Sequence, residues 1–469
     1  MRVPRRHRFR ARRTAAELFA RLPGAMRFRL ARSEVDAQVF GASPVSMVKG
    51  AASPGLPKDE LRRALPRVPD ARRDVFPGGA VGCIAYERGY DVEGLAGRPD
   101  PARGPDLHFA VYDTFAETLP ASGEVEVVSW GLTEDGTFDA KRALERAEHL
   151  EAALRAEQAP ARTPVATRPP DVAALADPAE ARRPAAPGLR TSLDAAAHAH
   201  AVGEILEAIR RGDIYQANLT ARFDVPTEIA PVDLFERLLI DNPAPFSFFL
   251  ETPQGTVISS SPERLLAARD RRVESRPIKG TAPRDRRPAV DRRLADELLA
   301  SEKNRAELLM ITDLLRNDLG KVCEHGSVRV PKLVRLESFP HLHHLVSTVE
   351  GRLRAGLDVF DALEAVFPCG SITGAPKRRA MEILRDLEPA PRGVYTGAVG
   401  WIGFDRSADL AVAIRTGVLA DGIFSFGAGG GIVADSEASA EWSELLLKAR
   451  ALALALGVDL ESALCGREP

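Results

Sequence analysis

One lysine has the setting of a reactive amine. Lys279 lies between an isoleucine and a glycine in residues 276–281 (RPIKGT). Residues 272–278 predict a strand, and this apolar approach with few local carboxylates would desolvate the amine and favour its neutral, nucleophilic form. The alternative is a surface lysine before a turn, with Gly280 supplying backbone freedom. The hexapeptide alone favours that alternative.

Two glutamates on the last predicted helix are candidates for holding a cation. Glu441, Glu444 and Lys448 are spaced by three and four residues, so they share one helix face. Two carboxylates one turn apart repel unless a cation or a proton lies between them, and Mg²⁺ is a natural choice. The alternative is a solvated acidic face, which is the usual outcome for a Glu-x-x-Glu pattern.

A third glutamate lies in an apolar stretch of an earlier helix. Glu307 is followed by leucine and isoleucine residues, and a glutamate in such a setting requires a partner. If the two helices meet, Glu307, Glu441 and Glu444 would form a site for one Mg²⁺. Because Mg²⁺ keeps waters and favours an anionic additional ligand, this arrangement suits a carboxylated metabolite.

Two further charged residues follow or interrupt predicted strands. Glu263 comes directly after a strand end and is a general acid if burial raises its pKa; alternatively it is a glutamate in the first turn of a helix. Arg415 lies in the otherwise apolar strand 410–416. A buried arginine requires an anion and binds a carboxylate bidentately, and an internal salt bridge is an equally weighted alternative.

Glycines and a histidine offer weaker signals. Residues 427–431 follow a strand but lack the GxGxxG spacing, so we predict a loop whose free N–H groups approach an anion. Residues 371–375 precede a helix and offer similar anion-binding geometry. His344 shares a strand face with Leu342 and Val346, where it donates to a substrate oxygen or, more commonly, is a satisfied core histidine.

The surrounding pattern predicts the elements that position these groups. A proline-rich stretch at 158–190 separates an N-terminal region (1–157) from a second region (191–469). Alternating arginines near the N-terminus predict a solvated edge strand. The further predictions are helices at 191–211 (capped by Thr191 or Ser192), 288–318, 358–367, 377–387 and from Ser436 to about 456, with strands at 214–220, 257–260, 397–404 and 408–418.

Bulk properties exclude several classes of function. The 469 residues carry a formal charge of −2, which implies no field that would attract nucleic acid or an anionic membrane. No apolar run is long enough to span a bilayer. The four cysteines have no CxxC or zinc spacing, so we expect reduced thiols in a cytoplasmic protein.

A recognisable pattern runs from about Ser192 to Leu456 and is carried by residues 212–220, 260–264, 277–281, 306–318, 344–347, 371–377, Arg415 and 429–448. With this pattern the chain resembles the chorismate-utilising enzymes, which include the anthranilate, aminodeoxychorismate, isochorismate and salicylate synthases. The match is weaker in the N-terminal region.

The resemblance implies a large α+β fold with mixed antiparallel sheets covered by helices and an active-site cleft. It implies that Mg²⁺, held by Glu307 and Glu444 with Glu441 near, binds the ring carboxylate of chorismate. Lys279 would attack ring carbon 2 while Glu263 protonates the hydroxyl leaving carbon 4. The matching substrate contacts are Arg415, Tyr395 and Gly429, Gly430 and Gly431 for the enolpyruvyl carboxylate, His344, Thr373 and Gly374 elsewhere, and Lys448 near the metal.

Within the family, a lysine at position 279 is typical of aminodeoxychorismate synthases, whereas anthranilate synthases have alanine there. The expected product is 4-amino-4-deoxychorismate, on the way to 4-aminobenzoate and folate, with ammonia from a separate glutamine amidotransferase subunit. The alternatives are anthranilate synthase component I and a non-catalytic chorismate-binding subunit. Gln216 stands where the water-using members have a lysine base, which argues against those members.

Three positions depart from the family pattern. Asn304 replaces a second acidic residue in the first metal helix, and Cys369 replaces a small residue in a loop. Residues 30–33 differ from the Leu-Leu-Glu-Ser element that binds tryptophan in regulated relatives, which argues against tryptophan binding.

Overall fold

The computed structural model describes residues 4–11, 13–31, 37–49, 55–68, 76–97, 104–156, 188–339 and 342–464. Helices and two large antiparallel sheets make up the fold, which confirms the predicted α+β class.

The described strands are β1 Arg5–Arg10, β2 Phe28–Ala31, β3 Gln38–Gly41, β4 Ser46–Lys49, β5 Gly79–Ile84, β6 Leu107–Tyr112, β7 Thr114–Leu119, β8 Glu124–Ser129, β9 Arg190–Thr191, β10 Gln216–Pro226, β11 Phe246–Thr252, β12 Gly255–Ser261, β13 Arg264–Arg269, β14 Arg272–Arg276, β15 Ile278–Pro283, β16 Arg329–Ser338, β17 Leu342–Arg352, β18 Gly374–Ala375, β19 Ala398–Gly403, β20 Ala408–Val412, β21 Thr416–Ala420 and β22 Ile423–Ile432.

Both sheets combine strands from before and after the proline-rich stretch. Among the described residues, the first sheet has the order β1-β8-β7-β3-β2-β11-β12-β21-β22-β10-β18, with β9 paired to β10. The second has the order β15-β17-β14-β13-β20-β19-β5-β6-β4, with β16 paired to β17. The proline-rich stretch itself falls largely on residues 157–187, which lie outside the described residues.

Two neighbouring strands pass from one sheet into the other. β12 pairs with β21 in the first sheet, and their continuations β13 and β20 pair in the second. At the bend, the backbone N–H of Val412 donates to the Glu263 carbonyl, and the N–H of Ser260 donates to the Arg415 carbonyl. The bend therefore places Glu263 and Arg415 on two adjacent strand connections, where Glu263 pairs with Val412 and Arg415 with Ser260.

Helices cover the outer faces of the sheets. The described helices are α1 Ala15–Phe19, α2 Lys58–Ala64, α3 Arg88–Val92, α4 Ala140–Arg155, α5 Ala195–Arg210, α6 Pro231–Asp241, α7 Pro288–Ala300, α8 Glu302–Gly320, α9 Val359–Val366, α10 Lys377–Leu387, α11 Ala438–Ala455 and α12 Leu460–Leu464, with a 3-10 turn at Gly370–Ile372. No helix in these ranges is long and apolar enough to cross a membrane.

Three large apolar clusters account for most of the core. One lies between the first sheet and helices such as α4, α5, α6 and α11, and a second joins the other sheet to α8 and α9. The third contains inward-facing residues of both sheets, including Phe28, Val257 and Trp401, so the sheets pack face to face. This packing fixes the bend that carries Glu263 and Arg415.

Several predicted boundaries are corrected by the structure. Asp194, rather than Thr191 or Ser192, caps α5 by accepting from the Ala197 N–H. The predicted strand 272–278 divides into β14 and β15 around Pro277, because proline has no N–H for the ladder. The predicted strand 408–418 likewise divides into β20 and β21, which belong to different sheets.

Other predictions about the termini and the cysteines have clear outcomes. The arginine-rich start is confirmed as an edge strand, because β1 lies at one end of the first sheet and most of its side chains are exposed. Ser436 does not cap α11, whose N-cap is Glu437 without a side-chain hydrogen bond. The Ser436 hydroxyl donates instead to Glu441. The described cysteines, Cys83, Cys323 and Cys369, are buried free thiols.

Candidate active site

A β-bulge aims Lys279 into the site. Lys279 pairs with Leu345 of β17, and the register shifts between Lys279 and Thr281. Gly280 within the bulge has φ of +78°, and a Cβ there would lie 2.9 Å from Asn304, so a side chain would be strained and crowded. The lysine therefore lies inside a strand of the second sheet, not before a surface turn.

The Lys279 amine has a carboxylate neighbour that comes from outside its local sequence. Its Nζ lies 3.6 Å from Oε2 of Glu307 on α8, and both side chains are mostly buried. A Cβ at Gly431 of β22 would lie 3.2 Å from Lys279 Nζ and 2.3 Å from Nε2 of Gln216. The sequence missed this contact because α8 follows Lys279 by more than twenty residues. Lys279 and Gln216 thus meet at Gly431, and Glu307 lies beside Lys279.

The two glutamates of α11 converge on the neighbouring glycine. A Cβ at Gly430 would lie 3.1 Å from Oε2 of Glu441 and 3.9 Å from Oε1 of Glu444. Oε1 of Glu441 accepts from the Ser436 hydroxyl at 2.6 Å and lies 3.8 Å from Lys303 Nζ. Glycine therefore leaves the space into which both carboxylates point.

Lys448 connects these groups to the strand. Its Nζ donates to the Gly429 carbonyl at 2.9 Å and lies 2.7 Å from Oε1 of Glu444. Burial raises the pKa of Glu444, but Lys448, Lys303 and Lys279 together outweigh this effect, so the net pKa lies below the ordinary value. Glu444 is therefore ionised at neutral pH, as a metal ligand must be.

The carboxylates around Gly430 fit a hard cation. Among the residues that the structure describes, no three His, Cys, Asp or Glu side chains form a group that could hold a metal ion by themselves. Mg²⁺ is commonly bound by one or two carboxylates together with waters and substrate oxygens. Glu441 and Glu444, which face the space beside Gly430, offer that donor set, and Glu307 lies on the facing helix. Mg²⁺ at these residues stays a prediction.

The prediction of a glycine loop or nest is wrong. Gly429, Gly430 and Gly431 lie within β22 and pair with Thr220, Leu219 and Asn218 of β10. Their backbone forms the ladder of the first sheet instead of a free anion-binding loop. The glycines contribute by having no side chains, which gives α11 and Lys279 access to the strand surface.

Glu263 is a buried carboxyl group at the bend between the sheets. It connects β12 to β13, so the alternative of a helix first turn is wrong. Its side chain is 3% exposed, and Oε1 has no hydrogen-bond partner. Burial raises its pKa to about 7, although Ser371, the Lys279 charge and the Ile278 N–H each lower it in part. A carboxyl group with that pKa can donate a proton near neutral pH.

Arg415 lies at the same bend and has no salt bridge to any residue that the structure describes. Its φ is +48°, an unusual conformation for a residue other than glycine. Nη1 donates to Oδ1 of Asn242 at 3.1 Å, and no described carboxylate lies within ion-pair distance. Burial lowers its pKa. Because the alternative of an internal pair is not met within the described residues, the arginine is suited to an anionic ligand.

The remaining predicted substrate contacts differ in how far their groups are already bonded or packed within the protein. Burial lowers the pKa of His344 to about 4, so the ring is neutral, and its Nδ1 lies 2.9 Å from the Thr281 hydroxyl. The Thr373 hydroxyl donates to the Cys369 carbonyl, which leaves it inside its own loop. Gly374 has φ of +155°, and a Cβ there would meet the Gln216 carbonyl at 2.3 Å. Tyr395 is buried against Gly427.

Sequence reasoning missed two neighbours of the site. Asn242, which positions Arg415, lies just after α6 in an Asn-Pro dipeptide that predicts only a turn. Lys303 reaches Glu441 from the first turn of α8. Neither has a spacing that links it to its partner, since both contacts join residues more than a hundred positions apart.

Comparisons with known proteins show what this chain is similar to. A family model described as chorismate binding enzyme matches residues 29–454. Anthranilate synthase component 1 of Streptomyces coelicolor (strain ATCC BAA-471 / A3(2) / M145) is 41% identical over 401 residues, which cover 85% of this chain and 76% of the relative. Aminodeoxychorismate synthase component 1 of Bacillus subtilis (strain 168) is 35% identical over 387 residues, which cover 82% and 78%. A crystal structure of anthranilate synthase component I from Streptococcus pneumoniae TIGR4 matches with a TM-score of 0.75 at 29% identity, covering 91% of this chain and 92% of that chain.

Proposed function

The chain belongs to the chorismate-binding enzyme family, and from this premise we propose that it aminates chorismate at ring carbon 4. The product would be 4-amino-4-deoxychorismate, a precursor of 4-aminobenzoate and folate. The observation that carries this proposal is the position of the Lys279 amine, close to Glu307 and facing Gly431.

A lysine at this place accounts for substitution at the carbon that loses the hydroxyl. In the first step, Lys279 Nζ bonds to ring carbon 2, the two ring double bonds shift, and the hydroxyl leaves carbon 4 as water. In the second step, ammonia bonds to carbon 4, the double bonds return, and the Lys279–carbon 2 bond breaks. Two successive displacements therefore place nitrogen where oxygen was.

Glu263 supports the first step as the general acid. Its carboxyl group is buried, and its pKa of about 7 keeps a large protonated fraction at neutral pH. Transfer of that proton to the departing hydroxyl avoids the loss of hydroxide. Water has little access to this carboxyl group because the bend between the sheets encloses it.

Glu441 and Glu444 would hold Mg²⁺, with Glu307 facing them. When bound, the ion supplies positive charge for the ring carboxylate of chorismate. The enolpyruvyl carboxylate would lie at Arg415 beside Tyr395. Neutral His344, the Thr373–Gly374 backbone and Lys448 would make further contacts to substrate oxygens. These assignments give each of the two carboxylates of chorismate a positively charged partner at the site.

Ammonia would come from a separate glutamine amidotransferase subunit. The names of the curated relatives, which call those proteins component 1, support a second component. The reduced cysteines are consistent with the proposed cytoplasmic location.

Anthranilate synthase component I is the second candidate. The anthranilate synthase relative from Streptomyces coelicolor is more similar to this chain than the aminodeoxychorismate synthase from Bacillus subtilis, at 41% against 35% identity. In that case ammonia would attack carbon 2 directly, and Lys279 would have no covalent role.

A product assay separates the two candidates. The purified chain is incubated with chorismate, Mg²⁺ and an ammonium salt, aminodeoxychorismate lyase is added, and 4-aminobenzoate and anthranilate are separated by chromatography. We expect 4-aminobenzoate. Anthranilate alone would show that the chain is an anthranilate synthase, and consumption of no chorismate would overturn both candidates.

A further inference from the structure

A second buried arginine lies behind the site and is fully paired. All five N–H groups of the Arg392 guanidinium donate hydrogen bonds within the protein. Nε and Nη2 donate to the two carboxylate oxygens of Glu388 at 2.9 and 2.6 Å. This bidentate pair is almost completely buried. The remaining three N–H groups donate to other elements of the protein.

Those three N–H groups donate to three segments that line the site, here called its walls: β10, the loop before Gly374 and the turn that carries Tyr395. Nη2 donates to the Asn218 carbonyl of β10 at 2.7 Å, and Nη1 donates to the Ile372 carbonyl at 2.9 Å and the Thr396 hydroxyl at 3.3 Å. Asn218 pairs with Gly431, Ile372 precedes Thr373 and Gly374, and Thr396 follows Tyr395. Each wall carries a predicted substrate contact.

The Thr396 backbone needs such a support. Its φ is +61°, which is strained for a β-branched residue and costs on the order of 1–3 kcal/mol. Its hydroxyl accepts from Arg392 and donates to the Tyr395 carbonyl at 2.6 Å. The guanidinium thus stabilises the conformation that directs Tyr395 inward.

The N-terminal region holds Arg392 from the other side. The Tyr86 ring lies 4.2 Å from the guanidinium carbon. The carboxylate oxygens of Glu87 accept from the backbone N–H groups of Arg392 and Gly393, at 2.7 and 3.0 Å. Residues distant in sequence therefore fix both the side chain and the backbone of Arg392.

We propose that Arg392 is a positioning residue for chorismate, which sets the distance between β10, the loop before Gly374 and the Tyr395 turn. The inference rests on the proposed function, because its readout is the binding and turnover of chorismate. Arg392 does not touch the substrate. It acts through the three walls, so its loss should raise KM more than it lowers kcat, since Lys279 and Glu263 are held by other strands.

Loss of stability has to be separated from loss of positioning. Removing Arg392 alone would take the guanidinium away from the buried Glu388 carboxylate, which destabilises strongly. The double variant Arg392→Met/Glu388→Gln removes both charges and keeps an acceptor for the Thr220 N–H, which now donates to Glu388 at 3.1 Å. Arg392→Lys retains the charge for Glu388 but has fewer donors in another geometry, so it serves as the variant that preserves the fold.

A matched control exists elsewhere in the chain. Arg29 of β2 is also almost completely buried, hydrogen-bonds Glu236 and lies near the rings of Phe19 and Phe235. Arg29→Met/Glu236→Gln makes the same chemical change away from the site. We expect it to leave the chorismate KM unchanged.

The experiment measures initial rates with chorismate, Mg²⁺ and ammonium for the wild type, both Arg392 variants and the control, with melting temperatures for each. We expect the double variant to raise KM about tenfold or more and Arg392→Lys several-fold, since Arg392 makes one hydrogen bond to each of the three walls. A folded double variant with unchanged KM overturns the proposal; if it does not fold, unchanged KM in Arg392→Lys does so. A wild type that consumes no chorismate overturns the proposed function instead.

Discussion

The two sides of the cleft differ in how their buried charges are compensated. On the side of α8 and α11, Glu307 faces Lys279 and Glu444 faces Lys448. At the bend between the sheets, Arg415 has no described carboxylate partner and Glu263 leaves Oε1 without a hydrogen bond. The first arrangement needs no ligand to balance its charges, whereas the second does.

This difference separates site residues whose charges also stabilise the fold from site residues whose charges only a ligand would balance. An uncompensated buried charge reduces stability, and proteins retain such groups chiefly where function requires them. We therefore expect substitutions at the bend to impair activity without loss of stability. Substitutions among the paired groups should affect both properties.

The largest effect on activity is expected on the side of α8 and α11, where the buried charges are paired. Lys279→Ala removes the proposed nucleophile, so formation of aminodeoxychorismate should fall by more than about 10³-fold, or amination should move to carbon 2. Intact-mass spectrometry of the wild type, quenched during turnover, should detect a covalent adduct that Lys279→Ala lacks. Lys303→Ala is the control, since Lys303 lies near Glu441 but has no covalent role. Full carbon 4 amination by Lys279→Ala would refute the covalent role.

The next largest effect on activity is expected from Glu263→Gln, at the bend between the sheets. Loss of the general acid should lower kcat by about 10²–10⁴-fold. Because the buried carboxyl group has no partner for Oε1, the neutral amide should leave the melting temperature at neutral pH equal or higher. A lower melting temperature together with nearly normal kcat would show that Glu263 serves the fold instead of catalysis.

Arg415→Met separates the two buried arginines. Loss of a charge-assisted contact to a carboxylate, about 1.5–3 kcal/mol, should raise the chorismate KM by roughly 10–100-fold. The melting temperature should not fall, because no described carboxylate is left unpaired. Arg392→Met should instead destabilise by about 3–5 kcal/mol, since it removes the guanidinium that pairs with the buried Glu388 carboxylate. Denaturant unfolding of both variants checks the contrast, which fails if Arg415→Met is the less stable of the two.

Much of this site was predictable because its residues lie in short, recognisable stretches. The types and approximate elements of Lys279, Glu263 and Glu444 followed from local sequence. Their convergence on Gly430 and Gly431 did not, because it depends on how α8 and α11 pack over β22. The lysine was expected to have few local carboxylates, and the Glu307 contact is a consequence of that packing.

The wrong predictions arose where tertiary structure outweighed a local pattern. Residues 408–418 are apolar enough for one strand, yet Arg415 takes a positive φ and the chain changes sheets. The glycine run predicted a loop because glycine is disfavoured in strands. It forms a strand because the ladder with β10 supplies the hydrogen bonds and the bulky neighbours leave room only for hydrogen atoms.

A smaller effect is expected from Glu444→Gln. An amide is a weaker ligand for Mg²⁺ than a carboxylate, so the Mg²⁺ concentration for half-maximal activity should rise roughly tenfold. Direct titration of Mg²⁺ by calorimetry should show the same shift without substrate turnover. Glu437→Gln, an exposed change before α11, is the control. Equal Mg²⁺ affinity in Glu444→Gln and the wild type would remove Glu444 from the metal site.

The smallest effect is a pH dependence that arises at the bend. Burial raises the pKa of Glu263 from 4.5 to about 7, so the protonated acid is lost as pH rises through 7. At constant free ammonia, kcat/KM for chorismate should fall about tenfold per pH unit above that value, because this ratio reports the protonation of the free enzyme. Between pH 4.5 and 7 the folded state binds the proton more tightly than the unfolded state, so this group's contribution to stability decreases as pH rises. The melting temperature of Glu263→Gln relative to the wild type should therefore increase across this window. A difference that is constant with pH would mean that Glu263 titrates normally and that the bend does not hold an uncompensated carboxyl group.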